Sequence, residues 1–407
     1  MLSFIMKVTK PHLKGDFVNA RLLYHKTDWI RKCHCVKYCR NGYAPRNFYR
    51  NQTLSSKLSS VRERTRSIHD YRLQKIRDVK FREMYTYLIL KKRRYKCTSC
   101  GKRFYERYPF LERYQRHTIR VLQALLIKVR TANFKEVAKE LGLGHSTVIR
   151  WFDRYYTYEN HSLPQILAID EFKGTTEKGK YQCVIGDPRG FKVFDVIQDR
   201  KLSTLKDYFR SLPTHRVQMV VMDMWQPYKI LAQQLFQNPI IIVDKFHYAR
   251  HNFWALERVR KRVQKSFQDK DRKSMKKLRF LLHKPKEKLT TREQELLQYY
   301  LELSPDLKKA YQVKEVFKKW MTQSNERNVR LNLEQLYQAI DESGLDEYQY
   351  MKRTFKSWEK EIINSFIDPY TNGYLEGINN KMKVIKRMSY GIRNFQRLRN
   401  KVLCSLI

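Results

Sequence analysis

Gln165-Ile166-Leu167-Ala168-Ile169-Asp170-Glu171-Phe172-Lys173 is the stretch whose reading decides the fold. A short apolar run leads into an acid and gives way after it, which predicts a buried strand, Ile166 to Asp170, delivering the Asp170 carboxylate to a metal site. Glu171 competes for that role. Alternation along a strand sends the two acids to opposite faces, and the apolar run leads into Asp170.

Outward from this strand, Tyr181 to Gly186 and Lys192 to Gln198 read as two more, joined by the turn sequence Asp187-Pro188-Arg189-Gly190. Such a meander is antiparallel. Ser203 to Leu212 then reads as a helix, Val217 to Met222 as a strand ending in Asp223, Pro227 to Phe236 as a helix, and Pro239 to Val243 as a strand ending in Asp244. Three strands followed by helix, strand, helix, strand is the order of a ribonuclease H-like sheet, whose first and fourth strands are central neighbours. Asp170 and Asp223 then come side by side. Val217 to Met222 is apolar apart from one glutamine, as a strand buried on both faces should be.

From Lys245 to about Phe366 the pattern is long, helical and basic, and reads as a helical insertion in that sheet fold. Core packing is the expected role of each of Trp254, Trp320 and Trp358, with base stacking on extruded DNA as the alternative. Past the insertion, Asn372 to Arg387 predicts a helix capped by Asn372. Leu375, Ile378, Met382 and Ile385 make an apolar stripe for the sheet, and Glu376, Asn380, Lys383 and Arg387 an adjacent polar one. Glu376 is the candidate third carboxylate: it lies 376 − 223 = 153 positions beyond Asp223, itself 223 − 170 = 53 beyond Asp170. Lys381 to Lys401 carries eight cations and no acid, which suits a DNA-facing surface.

Three carboxylates suit phosphodiester chemistry. A pair of magnesium ions about 4 Å apart activates the nucleophile, stabilises the leaving oxygen and neutralises charge, and magnesium takes hard oxygen ligands. Asp170 is the candidate bridge, with Asp223 and Glu376 flanking. No serine-histidine-aspartate pattern is apparent.

Toward the N-terminus, Phe134 to Phe152 has the layout of a helix-turn-helix. Ala138 allows close helix approach, Gly142 the turn, and Ser146 a cap, while Val148 and Phe152 pack the second helix back. His145, Thr147, Arg150 and Arg154 then face a DNA major groove. Further upstream, Cys97-Thr98-Ser99-Cys100-Gly101 is a zinc knuckle, whose partner knuckle falls among Cys33, Cys35 and Cys39. Cys35 and Cys39 are the assigned pair, although their spacing is irregular and His34 or His69 could substitute. Lys91-Lys92-Arg93-Arg94 beside Tyr95 supplies a basic edge for phosphates.

Composition bounds the partners. With 84 lysines and arginines against 40 acids, a net of 84 − 40 = +44 over 407 residues, the chain attracts polyanions, nucleic acid first. No apolar run approaches the roughly 20 residues of a membrane-spanning helix. Seven cysteines without a regular framework suggest a reducing compartment.

At Ile169-Asp170-Glu171-Phe172, Val221-Met222-Asp223-Met224 with Tyr228, Asp244-Lys245-Phe246-His247, and Glu376-Gly377-Ile378-Asn379-Asn380 through Arg387 into Tyr390-Gly391-Ile392-Arg393-Asn394-Phe395, the chain resembles the DDE transposases of bacterial insertion sequences, specifically the ISL3 group. The cysteine knuckle and the helix-turn-helix join that resemblance; the irregular first knuckle departs from it. It implies an enzyme that binds the terminal inverted repeats of its element, exposes 3′ hydroxyls and joins them to target DNA. It places the catalytic acids on Asp170, Asp223 and Glu376, with Asp244 and His247 in support. Asn380, Lys383 and Arg387 follow along the bound backbone. The cofactors expected are two Mg²⁺ or Mn²⁺ ions and a structural Zn²⁺.

The expected chain is therefore multidomain, α+β and α/β. A leader (1–32) precedes a zinc-ribbon-like module (33–105) and a helix-turn-helix domain (106–160). The ribonuclease H-like core (161–250) follows, then the large helical insertion (251–366) and the C-terminal catalytic helix (367–407). The partners expected are double-stranded DNA and a second copy or a higher assembly, in the bacterial cytoplasm on the nucleoid. A repressor that has lost the chemistry, or a structure-selective nuclease of the same fold, would share much of this pattern.

Overall fold

The computed structural model describes residues 67–81, 84–98, 100–158, 162–267 and 278–406, with the backbones of short strands at Phe4–Thr9 (β1), Val36–Tyr38 (β2), Ser56–Leu58 (β3) and Val61–Thr65 (β4). The chain divides into two units, Met1–Thr157 and Tyr158–Ile407.

In the first unit, Ile68–Phe81 (β5) and Met84–Lys96 (β6) form a long antiparallel ribbon with Ile76 opposite Leu88. β1 pairs antiparallel with β6, and β2 runs parallel to β1. After a tight turn Arg103–Tyr105 (β7) returns to β6. That turn is the cysteine knuckle: the Gly101 N–H donates to the Cys97 carbonyl at 3.0 Å, with Gly101 at φ +69°, where a side chain would be strained. The basic run on β6 is partly spent inside the unit. Arg93 is buried 3.9 Å from Glu106 and Arg94 pairs with Asp70, so only Lys91 of the four is exposed.

Three helices follow: Ile119–Lys128 (α1), Phe134–Leu141 (α2) and His145–Tyr155 (α3). Asn133 caps α2 by accepting from the Glu136 N–H at 2.9 Å. Gly142 ends it at φ +62°, with the Tyr85 ring where a Cβ would project. α3 starts directly after Gly144 with no side-chain cap, so Ser146 sits within the first turn rather than at the cap. The glycine link lets the helix begin earlier than the hydroxyl predicts. Val148 and Phe152 are buried as expected, and Phe134 is buried with them, its ring 5.2 Å from that of Phe152. β5 anchors the helices: Arg77 donates to the Gly142 carbonyl and, at 2.6 Å, to the Tyr87 hydroxyl, while buried Asp78 accepts from Thr118 Oγ1 at 2.6 Å and pairs with Arg120.

The second unit is built on a five-stranded sheet of Ile166–Phe172 (β8), Gln182–Asp187 (β9), Lys192–Ile197 (β10), Met219–Met222 (β11) and Ile240–Val243 (β12). The order is β10-β9-β8-β11-β12. The first three strands are mutually antiparallel, and β8, β11 and β12 are parallel, so the first and fourth strands are neighbours, as read. β8 does not stop at Asp170. It runs on to Phe172 because Asp170, Glu171 and Phe172 still pair with Val184, Cys183 and Gln182.

The connecting helices are Leu202–Arg210 (α4) and Gln226–Leu235 (α5). Leu167, Ile169, Val220, Met222 and Val243 face one large core containing Phe209, Tyr228 and Leu231. Met219, Val221 and Ile242 face a smaller cluster on the other side. After β12 come Lys245–Gln264 (α6), Thr291–Leu303 (α7), Pro305–Gln323 (α8), Val329–Ser343 (α9), Asp346–Ser357 (α10) and Glu359–Ile367 (α11), whose apolar faces extend the large core. Trp320 and Trp358 are buried there, but Trp254 is 44% exposed, against the expectation of core packing. Its position on α6 is set by the helix period, which turns Ala255 and Leu256 inward instead.

Gly373–Met388 (α12) and Phe395–Leu406 (α13) close the unit. Asn372 stands at the N-cap position of α12, yet its side chain makes no cap; its Nδ2 donates to the Ile169 carbonyl at 3.0 Å. Two cations of the run after Lys381 also turn inward. Arg399 grips buried Asp195 through Nε (2.6 Å) and a terminal nitrogen (2.8 Å), and Lys401 is buried. The amphipathic period of α13 takes them from the DNA-facing set.

Candidate active site

The parallel strands fix the acids. Met222 is opposite Ile169 on one side and Val243 on the other, so the next residue of each strand, Asp223, Asp170 and Asp244, continues one row at the carboxyl edge. Side chains alternate along a strand, so these three share the face of Val221 and Ile242. Glu171 points the other way, where it accepts from the Tyr228 hydroxyl at 3.0 Å and pairs with Arg200 at 2.8 Å.

Each aspartate in the row has a different environment. Asp170 Oδ1 accepts from the Glu171 N–H and Oδ2 from Asn379 Nδ2, both at 2.7 Å. Burial, with the charges of Glu171 and Asp244 adding to it, raises its carboxyl above the usual range. Burial also pushes Asp223 up to about 8, reinforced by the charges of Asp170, Asp244 and Glu171. Asp244 is spoken for: Oδ1 caps α6 through the Phe246 N–H at 2.8 Å, and Oδ2 accepts the Asn372 N–H at 2.9 Å. It holds the starts of two helices together. His247 Nδ1 lies 3.1 Å from Asp223 Oδ1 without the angle of a hydrogen bond, and burial lowers the imidazole's affinity for a proton.

Glu376 is not brought to this row. It is exposed, while Leu375, Asn379, Met382 and Ile385 take the buried face of α12. Among the described residues no three His, Cys, Asp or Glu side chains converge as a metal-holding group. Sequence reasoning missed the amides that do reach the acids. Asn372 and Asn379 are two helical turns apart and share a face, so an amide standing in an apolar stripe was the available signal.

Whether the residues present fit a metal is answered by their orphaned atoms. Asp223 Oδ1, Asn372 Oδ1, Asn379 Oδ1 and the Tyr374 hydroxyl are buried without a hydrogen-bond partner beside the row. A carboxylate and two amide oxygens among them are hard donors of the kind a divalent cation takes.

In the first unit, Cys97 is buried and Cys100 exposed at the knuckle; Cys35 and Cys39, with Cys33 and His34, lie outside the described residues. His69 is exposed on β5. On α3, His145, Arg150 and Arg154 are exposed and Thr147 is half-buried. Asn380, Lys383 and Arg387 are exposed along α12, with Lys383 Nζ donating to Asn380 Oδ1 at 3.2 Å. Among the described residues no helix is long and apolar enough to cross a membrane.

Comparison with known proteins identifies the family. A transposase family model of the DDE type matches residues 167–402, the helix-turn-helix domain of transposase family ISL3 matches 106–156, and the zinc finger of the IS204/IS1001/IS1096/IS1165 transposases matches 62–100, which includes Cys97 and Cys100. The transposase for insertion sequence element IS1001 of Bordetella parapertussis is 28% identical over 343 residues, covering 81% of this chain and 84% of that protein. A local match at 39% over 56 residues to an ATP-dependent protease of Lactococcus lactis subsp. lactis covers 14% of this chain and 18% of that one, and carries no argument. The family model spans more than half of the chain and contains all three aspartates of the row, so this chain belongs to the ISL3 family of DDE transposases, with zinc-ribbon, helix-turn-helix and catalytic domains.

Proposed function

We propose that Asp170 and Asp223 are the metal-holding catalytic acids of this transposase, with Glu376 as the third, in a ribonuclease H-like core interrupted by the helices at 251–366. The observation that carries this reading is the register of β8 and β11, which puts the two aspartates next to each other at the edge of parallel strands, where ligands of open α/β sheets bind. The sheet order supports the fold assignment. Glu376 stands four residues after Asn372 and three before Asn379, on the helical neighbourhood of both residues that touch β8. Its long side chain has no partner in the described structure and is available to a cation.

Family membership implies divalent-metal use. We take the metal to be a pair of Mg²⁺ or Mn²⁺ ions, which supply charge neutralisation and an activated nucleophile when bound. Asp170 would bridge, oriented by the Asn379 amide; Asp223 and Glu376 would flank. Asp244 ties α6 to α12, so that the helix bearing Glu376 is anchored at the acid row. Lys383 and Arg387, on the exposed stripe after Glu376, would follow the phosphates of the reacting strand.

The DNA partner we assign is the element's terminal inverted repeats, cut to expose 3′ hydroxyls that are joined to target DNA. Residues 106–160 would read the repeat, with His145, Thr147, Arg150 and Arg154 of α3 in the major groove. Cys97 and Cys100, with Cys35 and Cys39, would bind structural zinc within residues 33–105, behind a leader at 1–32. Residues 161–250 and 367–407 would form the core. Two ends must meet, so a dimer or larger assembly in the bacterial cytoplasm, on the nucleoid, is the working unit.

The test is strand cleavage of a duplex carrying an end of the encoding element, with Mg²⁺ or Mn²⁺, by the parent and by Asp170→Ala, Asp223→Ala and Glu376→Ala. Loss of cutting with retained DNA binding is expected for all three. Cutting at the parent rate by any variant removes that residue from the site. Equal cutting of random duplex would replace element-end recognition by a structure-selective nuclease, and binding without cutting by the parent would favour the repressor.

A further inference from the structure

One face of α6 repeats a pattern that neither the fold nor the acid row requires. At every fourth residue, Phe246, Arg250, Trp254 and Arg258 alternate an aromatic ring with a guanidinium. The Arg250 guanidinium carbon lies 5.6 Å from the Phe246 ring centre and 4.6 Å from that of Trp254. Arg258 continues the series, 5.2 Å from the ring of Tyr350 on α10. The three rings are 66%, 44% and 50% exposed, so the series is a surface and not a core seam.

The ladder starts at the acids. Phe246 donates its backbone N–H to Asp244, and its ring meets the His247 ring edge-on at 5.8 Å, while His247 reaches Asp223. From Phe246 to Trp254 is eight residues, about 12 Å of helix axis, room for about three stacked bases. Three partly exposed rings interleaved with cations form one continuous stacking surface. Rings and guanidiniums also occur in protein interfaces, but the net charge of +44 and the continuity of this face with the acid row favour a polyanion. What they match is a nucleobase: every base has a π-face, aromatic rings and guanidinium planes both stack on it, and the cation meets the phosphate. Paired bases in a duplex hide those faces.

We propose that the Phe246–Arg250–Trp254–Arg258–Tyr350 ladder of α6 and α10 binds unpaired nucleotides of the DNA strand next to the scissile phosphate. This rests on reading the acid row as the cutting site; the stacking itself does not. A strand frayed at the cleavage point would leave the acids and run along α6, each base lying on a ring or a guanidinium.

The test is done in EDTA, so that chemistry plays no part. Fluorescence of 2-aminopurine is followed in a four-nucleotide single-stranded extension of a duplex, and affinity is compared with the blunt duplex by anisotropy. The parent is expected to quench the probe and to prefer the extended DNA by about 10-fold, the scale of one or two stacked bases. Trp254→Ala should lose the quench and reduce the preference below about 2-fold, Trp254→Phe should keep both, and Phe246→Ala should weaken both, with blunt-duplex affinity unchanged in every variant. The proposal is overturned if Trp254→Ala quenches like the parent. It is overturned equally if blunt and extended DNA lose affinity together, or if Trp254→Ala changes the sedimentation of the free protein, which would assign the face to a second copy. Normal cutting by Asp170→Ala would instead sink the acid assignment and leave the stacking result standing.

Discussion

Replacing Asp223 by asparagine should make the metal-free protein more stable while removing a proposed metal ligand. The Asp223 carboxyl, about one-fifth exposed, is pushed up to about 8 by burial and by the charges of Asp170, Asp244 and Glu171. In the unfolded chain it titrates near about 3.9. Between those values the folded state holds a proton that the unfolded state has released, so stability falls as pH rises from about 4 to about 8, and the full penalty is present above that. The difference, about 4 pH units at about 1.36 kcal/mol each, sets a ceiling of about 5 kcal/mol. The repulsion is shared among four carboxylates, so about half, or 2–3 kcal/mol, is assigned to this one group.

For a unit of about 250 residues that corresponds to a rise in Tm of roughly 5–10 °C at pH 8 in EDTA. At pH 5 the gap should shrink to about a quarter of that, because only about one pH unit of the titration has been crossed. Mn²⁺ should reverse the order at pH 8 by stabilising the parent more than the variant. Thermal melts followed by circular dichroism at the two pH values, with EDTA and with Mn²⁺, read all of this. A variant that melts at or below the parent at pH 8 in EDTA, or whose advantage is the same at both pH values, would refute the reasoning.

Asn379→Ala should lower cutting by about 10-fold or more at saturating metal, because the amide orients Asp170, and should weaken Mn²⁺ binding in a calorimetric titration; unchanged values for both would remove the positioning role. Arg399→Ala should cost about 3–5 kcal/mol by urea unfolding, since it removes the guanidinium from buried Asp195 and leaves the carboxylate the Tyr208 hydroxyl at 2.8 Å and the Val196 N–H at 2.6 Å. Replacing Arg399 and Asp195 together by methionine and leucine should recover much of that. Gly142→Ala meets both a left-handed backbone and the Tyr85 ring, so it should destabilise the reader by more than about 1 kcal/mol and weaken duplex binding in anisotropy, while leaving the metal-dependent melt of the second unit in place.

The sheet was legible in the sequence because its strands are apolar runs punctuated by acids and turns. The order of elements then left few topologies, and Asp170 and Asp223 followed from neighbouring parallel strands. The orientation of α12 was legible only in part: its apolar stripe predicts which side meets the sheet, but Asn379 stands in that stripe and Glu376 beside it. Period alone cannot say that an amide will reach the acid while the carboxylate faces solvent. Asn372 looked like a cap because of its residue type, and tertiary contact with the Ile169 carbonyl took its side chain instead. Arg399 and Lys401 looked like DNA contacts because charge is read from composition, whereas burial comes from the period of the helix that carries them.

The hydrogen bonds from Asn372 to Ile169 and from Asn379 to Asp170 span 203 and 209 residues of sequence. A contact of that separation forms late, after the loop-closure entropy of the intervening chain has been met. On the ribosome, the helices that read DNA emerge more than 200 residues before the helix that steadies Asp170, at a pace of about 5–20 residues per second. The contacts that complete the proposed site therefore form about 10–40 s after the helix-turn-helix has emerged.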